Sequence, residues 1–488
     1  MKAKKLAALL LTLVLALGLI SVGAMAAQTT VTPASTASIT VNNAVANDVF
    51  AAYKVVDITY NDGNNTLTKA WNSDFAGYFT GTTVEAFAAL TDDSEQLKSL
   101  LAGLPQYIKD NPSITPVKEA TAAADKSATF AGLDMGEYFI RPTSTTSVYQ
   151  LMLQKIEPTV ANVGGVEKYV IDDVTFNAKH KEVNVAKTAD KTSVTKNEKV
   201  AYTITVDIPT YLDEATDKTF YVSDLLPDGL TIDTDSIKVK VNGIDVDAGA
   251  YTLDTTKPAE YTFKLSVSNA QYAGWKANAG INPLVITYTA TLNDDDTTAV
   301  NTKETNTVTF DYSNYPYVDS HVQKTDTVDV TTFAIKVNKY KEGDATTKLA
   351  NAEFDLYRTA YAGETGSVTI PHTDVQGKLL EHGVTGDDGT LTFAKYEANG
   401  VKYDYYLVET KAPSGYNLLT EAKKVNFTDA EVETTAGIFT VDVANNSGIQ
   451  LPVTGGTGTV IFTVIGIALM AGAVVLLVLS RKKATVNK

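Results

Sequence analysis

The sequence contains no cysteine and few histidines. Its 488 residues include no Cys, four His and two Trp. Exported proteins commonly gain stability from disulfide bonds, so an extracellular protein of this kind either uses another means or needs none. The histidines are scattered and, without cysteines, make a poor set of zinc ligands. They are His180, His321, His372 and His382. We therefore predict no metal site and no cofactor.

Sequence signatures of common enzymes are also missing. There is no G-x-S-x-G elbow, no phosphate-binding glycine loop ending in Lys-Ser/Thr and no H-E-x-x-H. The acidic run Asp294–Asp296 could suggest calcium, but it follows a predicted strand and suits a solvated turn. The net charge is −16 without a basic stripe, which argues against nucleic acid and anionic membranes as partners. We predict that the chain is not an enzyme.

The first residues have the layout of a secretory signal peptide. The basic segment Lys2–Lys5 precedes an apolar run, Leu6–Ile20, and small residues follow at Ala24–Ala26. This order predicts a signal peptide over residues 1–26 with cleavage after Ala26. The alternative, a first transmembrane helix, is disfavoured because the apolar core is short and a cleavage site follows it.

Near the other end, a short motif precedes an apolar run and a basic tail. The apolar residues 460–479 are long enough to span a bilayer as a helix, and the basic tail 480–488, with Arg481–Lys483, would stay in the cytoplasm. The motif before them resembles the LPxTG sorting signal of sortase substrates. Its residues are Leu451, Pro452, Val453, Thr454 and Gly455. The resemblance implies cleavage after Thr454 to give a thioacyl-enzyme intermediate, with the helix as a temporary tether.

Between these ends, alternating apolar residues predict a mostly β protein. One such row runs from Val200 through Tyr202 to Ile208, another from Leu284 to Leu292, and Asn242-Gly243 has the composition of a type I′ hairpin turn. We predict tandem immunoglobulin-like antiparallel β-sandwiches. The length suits three domains, placed at 30–170, 177–328 and 331–447.

The first of these domains also contains a helical pattern. Thr82-Thr83-Val84-Glu85 resembles a capping box, and spaced apolar residues continue to Leu104 before Asn111-Pro112 ends the pattern. We therefore predict a helical insertion inside the first domain.

Six polar residues continue apolar rows of predicted strands. Residues two apart share a face of a strand, so Lys187 lies on the face of Val183 and Val185. The six are Lys187, Asp224 and Asn306 in the second domain and Lys339, Glu409 and Asn445 in the third. Any one has an ordinary explanation, because a lysine can snorkel and an asparagine can end a strand. Two sets in the same order, with the asparagine in the last strand, indicate a shared purpose.

The chemistry that suits each set is an intramolecular isopeptide bond. Burial favours the neutral amine of lysine and the neutral acid of a carboxyl group. The amine can then attack the asparagine carboxamide while the acid polarises it and moves protons, and ammonia leaves. Proximity and desolvation drive the reaction.

The third domain resembles the collagen-adhesin B-type domain. The segment Tyr405–Tyr416 matches the pilin E-box YxLxETxAPxGY at every fixed position, and Ile335–Lys339 and Leu349–Tyr357 match the domain's opening. The resemblance implies that Glu409 is the catalytic acid, Lys339 the nucleophile and Asn445 the acceptor.

The second domain resembles the A-type domain of major pilins. Its segment Ser223–Leu230 contains Asp224, and Asn306–Asn314 supplies the acceptor. Lys187 is the expected nucleophile, with Lys191 and Lys196 less well placed.

Polymerisation requires a further lysine that is exposed. The family's pilin motif V-x-V-Y-P-K is partly matched by Val174–Lys179, with Asn177-Ala178 in place of Tyr-Pro. Val174 and Phe176 lie on one face and Lys179 on the other. The resemblance implies that Lys179, or failing it Lys181, is joined to Thr454 of another copy.

These resemblances imply a major (backbone) pilin of Gram-positive sortase-assembled pili. The implied partners are a class C sortase, a housekeeping sortase, other copies of the chain, minor pilins, peptidoglycan and a host surface. The implied location is the cell surface, with the chain anchored to the cell wall. Two alternatives are a minor pilin or monomeric wall-anchored adhesin, which needs no bond through Lys179, and a wall-anchored enzyme, which needs a catalytic site.

Overall fold

The computed structural model describes residues 29–91, 94–278, 281–294, 303–398, 404–433, 435–447 and 457–484. The predicted signal peptide, the motif Leu451–Gly455, residues Asp295 and Asp296 and the end of the basic tail lie outside the described residues.

Contacts within the chain define two compact units. One contains the described residues up to Thr192, with those of Asn197–Asn293 and Lys303–Val330. The other contains Ser193–Lys196, Asp294 and the described residues from Thr331 onward. The boundaries predicted for three domains stay predictions.

The first thirteen strands and two helices form the amino-terminal part of the first unit. The strands are β1 (Thr29–Thr30), β2 (Thr36–Asn42), β3 (Val49–Asn61), β4 (Thr66–Trp71), β5 (Lys118–Thr121), β6 (Ala128–Asp134), β7 (Gly136–Ser144), β8 (Val148–Tyr149), β9 (Met152–Ile156), β10 (Thr159–Val163), β11 (Val166–Ile171), β12 (Val174–Asn177) and β13 (His180–Lys181). The largest sheet has the order β4-β3-β7-β9, with β5 also paired to β3.

The predicted helical insertion is present as two helices rather than one. Helix α1 (Val84–Ala88) has Thr83 as its N-cap, and α2 (Glu95–Asp110) has Ser94. In both, the capping oxygen accepts a backbone N–H that the first helical turn leaves unpaired. The apolar side of α2, including Leu97, Leu101 and Leu104, is buried against the sheet residues of the same core.

The second half of the first unit is a β-sandwich of two five-stranded sheets. Its strands are β14 (Val185–Ala189), β15 (Lys199–Val206), β16 (Phe220–Leu225), β17 (Leu230–Val241), β18 (Ile244–Asp245), β19 (Thr252–Asp254), β20 (Phe263–Val267), β21 (Leu284–Leu292), β22 (Lys303–Ser313) and β23 (His321–Thr331), with helix α3 (Asn269–Asn278) and a 3-10 turn (Ala248–Ala250). The sheet orders are β14-β15-β21-β17-β18 and β19-β20-β16-β22-β23.

Two features of this sandwich follow the sequence closely. The predicted rows are buried, with Tyr202, Ile204 and Ile286 at 0% exposure. The Asn242-Gly243 turn joins β17 to β18 with both residues at positive φ, 53° and 77°, as a type I′ turn requires.

The second unit contains a smaller sandwich. Its strands are β24 (Phe333–Lys341), β25 (Asp344–Lys348), β26 (Glu353–Thr359), β27 (Val368–Thr369), β28 (Gln376–Val384), β29 (Thr390–Tyr396), β30 (Tyr405–Lys411), β31 (Lys423–Val425) and β32 (Ile438–Asn445), with helix α4 (Asp429–Glu433). One sheet contains β25, β24, β29 and β32, and the other has the order β27-β28-β26-β30-β31.

Among the strands that the structure describes, parallel pairing departs from the predicted antiparallel arrangement in two places. Strand β24 pairs with β32 in parallel, and β2 pairs with β12 in parallel. In both cases an early strand lies beside a late one, a neighbour that alternation along the sequence does not specify. The mostly β sandwich architecture is otherwise confirmed.

The predicted apolar span 460–479 falls within the last helix, α5 (Thr457–Ala484). Among the described residues, no helix meets the length and apolarity needed to cross a membrane.

Candidate functional sites

The set of polar residues predicted for the third domain, Lys339, Glu409 and Asn445, meets between the two sheets of the second unit. Strand β24 carries Lys339 and its parallel neighbour β32 carries Asn445, two positions beyond Val443, the register partner of Lys339. Both side chains therefore point to the same face. Glu409 is on β30 of the opposite sheet and meets them in the core.

Direct contacts join these three side chains. The Lys339 Nζ donates to Asn445 Oδ1 and lies 3.4 Å from Glu409 Oε1. The Asn445 Nδ2 contacts both Glu409 carboxyl oxygens at 2.9 Å. Their exposed fractions are 0%, 2% and 1% for Lys339, Glu409 and Asn445. The amine, the carboxamide and the acid are thus in contact and shielded from water.

The set predicted for the second domain, Lys187, Asp224 and Asn306, meets between the sheets of the larger sandwich. Lys187 is on β14, whereas Asp224 on β16 and Asn306 on β22 belong to the facing sheet. The Lys187 Nζ contacts Asp224 Oδ2. Asp224 and Asn306 are 0% exposed and Lys187 is 4% exposed. Lys191 instead lies 3.8 Å from Glu198, and Lys196 pairs with Glu381 at 2.9 Å.

One detail of this set differs from the prediction. Asn306 lies in β22, and β23 follows it at the sheet edge, so the asparagine is in the penultimate strand. Strand β23 is only partly buried, and its weak apolar alternation gave little sign of a further sheet strand.

Tyr288 is a member of this site that the sequence did not single out. Its hydroxyl lies 2.9 Å from Lys187 Nζ, 2.8 Å from Asp224 Oδ1 and 2.7 Å from Asn306 Nδ2. The alternating row on β21 predicted only that Tyr288 is buried. A buried tyrosine usually needs a partner for its hydroxyl, and that was the one available signal.

Burial disfavours the charged forms of these groups. Desolvation lowers the pKa of Lys187, against the opposing effect of Asp224, and it lowers the pKa of Lys339, against Glu409. Desolvation also raises the pKa of Asp224, although Lys187 opposes the shift. For Lys187 and Asp224, these two directions favour a neutral amine beside a neutral acid, the states that amide exchange requires.

Lys179 lies outside the strands. It falls between β12 and β13 and is half-buried, so the face predicted for it from strand alternation does not apply, while Lys181 is exposed on β13. Both lysines line a cavity of about 570 Å³ whose walls also include Tyr149, Tyr211 and Tyr317. The structure therefore places both lysines beside an accessible cavity of the first unit.

One group of side chains within the described residues has the composition of a metal site. Asp217, Asp319 and His321 have ligand atoms within 4.8 Å of one another. The ring nitrogens of His321 lie 2.6 Å from Asp311 Oδ1 and 2.9 Å from Asp217 Oδ2. Hydrogen bonds of this kind hold the start of β23 to the neighbouring strand.

Two family models match this chain. Residues 333–439 match the SpaA prealbumin-like fold domain, and residues 444–485 match the LPXTG cell wall anchor motif. The first match covers the third predicted domain, and the second covers the predicted sorting motif, apolar run and basic residues.

Similar proteins carry pilus-related names. The chain is 32% identical over 157 residues to a fimbrial subunit type 1 of Actinomyces viscosus, covering 28% of this chain and 29% of that protein. It is 27% identical over 261 residues to the trypsin-resistant surface T6 protein of Streptococcus pyogenes, covering 49% and 43%. The chain thus spans less than half the length of these relatives.

The fold is similar to that of a solved pilin. The T6 backbone pilin of S. pyogenes, described as a modular three-domain structure, is 20% identical with a TM-score of 0.59, covering 80% of each chain. This likeness confirms the architecture of successive β-rich domains.

Proposed function

We propose that this chain is the repeating shaft subunit of a covalently polymerised pilus anchored to a cell wall. The observation that carries the proposal is the pair of buried Lys–acid–Asn sets in successive β-sandwiches, in a chain with a cell wall anchor motif. A shaft subunit must transmit force along its length, and internal covalent ties suit that task.

The two sets are proposed to form isopeptide bonds without an external enzyme. Lys339 attacks the carboxamide of Asn445 with Glu409 as the acid, and Lys187 attacks that of Asn306 with Asp224 as the acid. Left unreacted, a buried lysine and carboxyl group cost several kcal/mol in desolvation. Conversion of the lysine amine to a neutral amide removes one of these two ionisable groups and makes the tie permanent, while the carboxyl group is regenerated.

Joining of subunits is proposed to use Lys179 and the sorting motif. A class C sortase would cleave after Thr454 and transfer the acyl group to Lys179 of another copy, and a housekeeping sortase would join the last subunit to peptidoglycan. The cavity beside Lys179 supports this assignment because a lysine there can be approached from solvent. Minor pilins and a host surface are further proposed partners.

Denaturing electrophoresis of cell-wall extracts tests the proposal. Probed with an antibody to this chain, extracts should show a ladder of very high mass, because the inter-subunit bonds are covalent and survive denaturant. A variant with Thr454→Ala should lose the ladder and accumulate unanchored monomer. A single anchored monomer band from the unmodified chain would instead identify a monomeric wall-anchored adhesin.

A further inference from the structure

We propose that Tyr288 is a catalytic residue of the second cross-link, where it relays a proton from Asp224 to the departing nitrogen of Asn306. The inference rests on the Lys187–Asn306 bond proposed above and adds a residue to it. Nothing in the alternation of strand β21 distinguishes Tyr288 from its core neighbours, so the assignment comes from the contacts alone.

The Tyr288 hydroxyl uses its full hydrogen-bonding capacity on the three reacting groups. A phenol offers one donor and two acceptor positions. The oxygen accepts from Lys187 Nζ at 2.9 Å and from Asn306 Nδ2 at 2.7 Å, and the O–H donates to Asp224 Oδ1 at 2.8 Å. The hydroxyl therefore touches the nucleophile, the acid and the leaving group at once.

The acid does not reach the leaving group by itself in this sandwich. Among the described side chains, the hydrogen bonds of Asp224 go to Lys187 and Tyr288, and Tyr288 is the link to Asn306 Nδ2. In the third domain the longer Glu409 contacts Asn445 Nδ2 directly at 2.9 Å. An aspartate is one methylene shorter than a glutamate, and the tyrosine hydroxyl fills that gap.

The environment keeps the phenol protonated and therefore able to relay. Burial, followed by the nearby Asp224 carboxyl group, raises the pKa of Tyr288 well above its ordinary value. The ring is held in place by stacking on Tyr202, with centroids 5.3 Å apart. The relay therefore requires only reorientation of the O–H bond, and the ring can stay where it is.

The step balances without another reactant. The Lys187 amine attacks Asn306 Cγ, which becomes tetrahedral, and Nδ2 becomes basic because it is no longer conjugated with the carbonyl group. For this step the Tyr288 O–H turns from Asp224 toward Nδ2 and the Asp224 proton is on Oδ1. Asp224 then passes its proton to the Tyr288 oxygen, while the Tyr288 O–H proton passes to Nδ2. The C–N bond breaks to release ammonia, and the proton shed by Lys187 Nζ returns to Asp224 Oδ2. Tyr288 ends as it began, Asp224 is protonated again but on Oδ2, and a secondary amide has replaced a primary one.

Tyr288→Phe in the full chain tests the relay, with Tyr202→Phe as the matched control. Each variant removes one buried hydroxyl and keeps the ring, but among the described residues the hydroxyl that hydrogen-bonds to both Lys187 and Asp224 is that of Tyr288 and not that of Tyr202. Newly synthesised chains are sampled over time and digested. The peptides joined through Lys187–Asn306 are quantified against those joined through Lys339–Asn445, an internal standard in the same molecule.

We expect Tyr288→Phe to slow the first bond by about 100-fold, a typical contribution of a positioned acid or base, without changing the second. Tyr202→Phe should react at the normal rate. The proposal is overturned by a normal rate in Tyr288→Phe, or by equal slowing in both variants, which would indicate packing. If the unmodified chain never forms the Lys187–Asn306 bond, the cross-link itself is wrong and the inference falls with it.

A second measurement guards against misfolding of the Phe variant. Replacing Tyr288 with a ring-fluorinated tyrosine keeps the hydroxyl and its contacts but makes the hydroxyl more acidic. A relay should change its rate and shift its pH dependence, whereas a hydroxyl that only fills space should leave both unchanged. An unchanged rate and pH profile would overturn the proposal.

Discussion

At the scale of single residues, each buried lysine lies where its charged form is expensive, and Lys339 is already in contact with its acceptor. Lys339 touches both Asn445 and Glu409 at 0% exposure. Proximity of this kind removes much of the entropic cost of bringing two reactants together at the reaction step. The fold therefore supplies the positioning that an enzyme would otherwise provide.

Removing either acid should stop one bond and leave the other. The intact mass of the wild-type chain should be lower than its calculated mass by two molecules of ammonia. Asp224→Ala and Glu409→Ala should each prevent one bond and so restore the mass of one ammonia molecule. Glu353→Ala, a change at a partly exposed acid of the third domain that pairs with Lys411, should restore none. A full calculated mass for the unmodified chain would contradict both assignments.

Strand alternation identified the lysine, acid and asparagine of each set but did not identify Tyr288, which contacts one of the sets. A lysine or carboxyl group on an apolar face is conspicuous, because its burial without a partner is costly. Tyr288 is not, because a tyrosine on such a face is ordinary core. Which groups meet its hydroxyl depends on how β16 and β22 of the facing sheet pack against β14 and β21, and that packing is not encoded in the pattern of any one strand.

At the scale of elements, the two sets use different geometry for the same chemistry. The Lys187–Asn306 bond would join the two sheets of its sandwich, whereas the Lys339–Asn445 bond would join neighbouring parallel strands of one sheet. Strands β24 and β32 are the first and last strands of the sandwich in the second unit. Force applied at the start of β24 and the end of β32 acts along their parallel ladder in shear, and the bond would span that ladder.

Sequence patterns located most helices and strands but did not fix several of their boundaries or the pairing of distant strands. The helical pattern from Val84 to Leu104 is divided into α1 and α2, because each segment has its own capping residue. Lys179 lies beyond the end of β12, so alternation could not fix its direction. The pairing of β24 with β32 joins residues far apart in sequence, and local pattern carries no record of such a neighbour.

The extension of the predicted third domain under force should distinguish the bonded state from the unbonded state. Lys339 and Asn445 are 106 residues apart, so Lys339→Ala should release roughly 350 Å of chain at about 3.3 Å per residue. The wild-type domain should extend very little, because the covalent bond limits its extension. Its noncovalent stability, typically about 5–15 kcal/mol, then no longer determines how far it extends. Lys336→Ala, at a half-buried lysine of the same strand, should behave as unmodified. Equal extension of the unmodified and Lys339→Ala domains would remove the mechanical role.

At the scale of the whole molecule, the chemistry requires two kinds of lysine. A lysine that reacts within the fold must be buried beside its acceptor, as Lys187 and Lys339 are. A lysine that joins two copies must be reached by a bulky enzyme carrying a second chain. Lys179 and Lys181 border a cavity of about 570 Å³, and neither is part of a buried Lys–acid–Asn set.

Lys179→Ala in cells tests which lysine joins the copies. High-mass polymers should disappear while monomer remains anchored through Thr454, because wall anchoring uses a nucleophile from the wall rather than from this chain. Lys181→Ala is the matched control, two residues away on the wall of the same cavity, and it should leave the ladder intact. A ladder that persists in Lys179→Ala but vanishes in Lys181→Ala would transfer the role to Lys181. Persistence in both variants would exclude this cavity as the site of polymerisation.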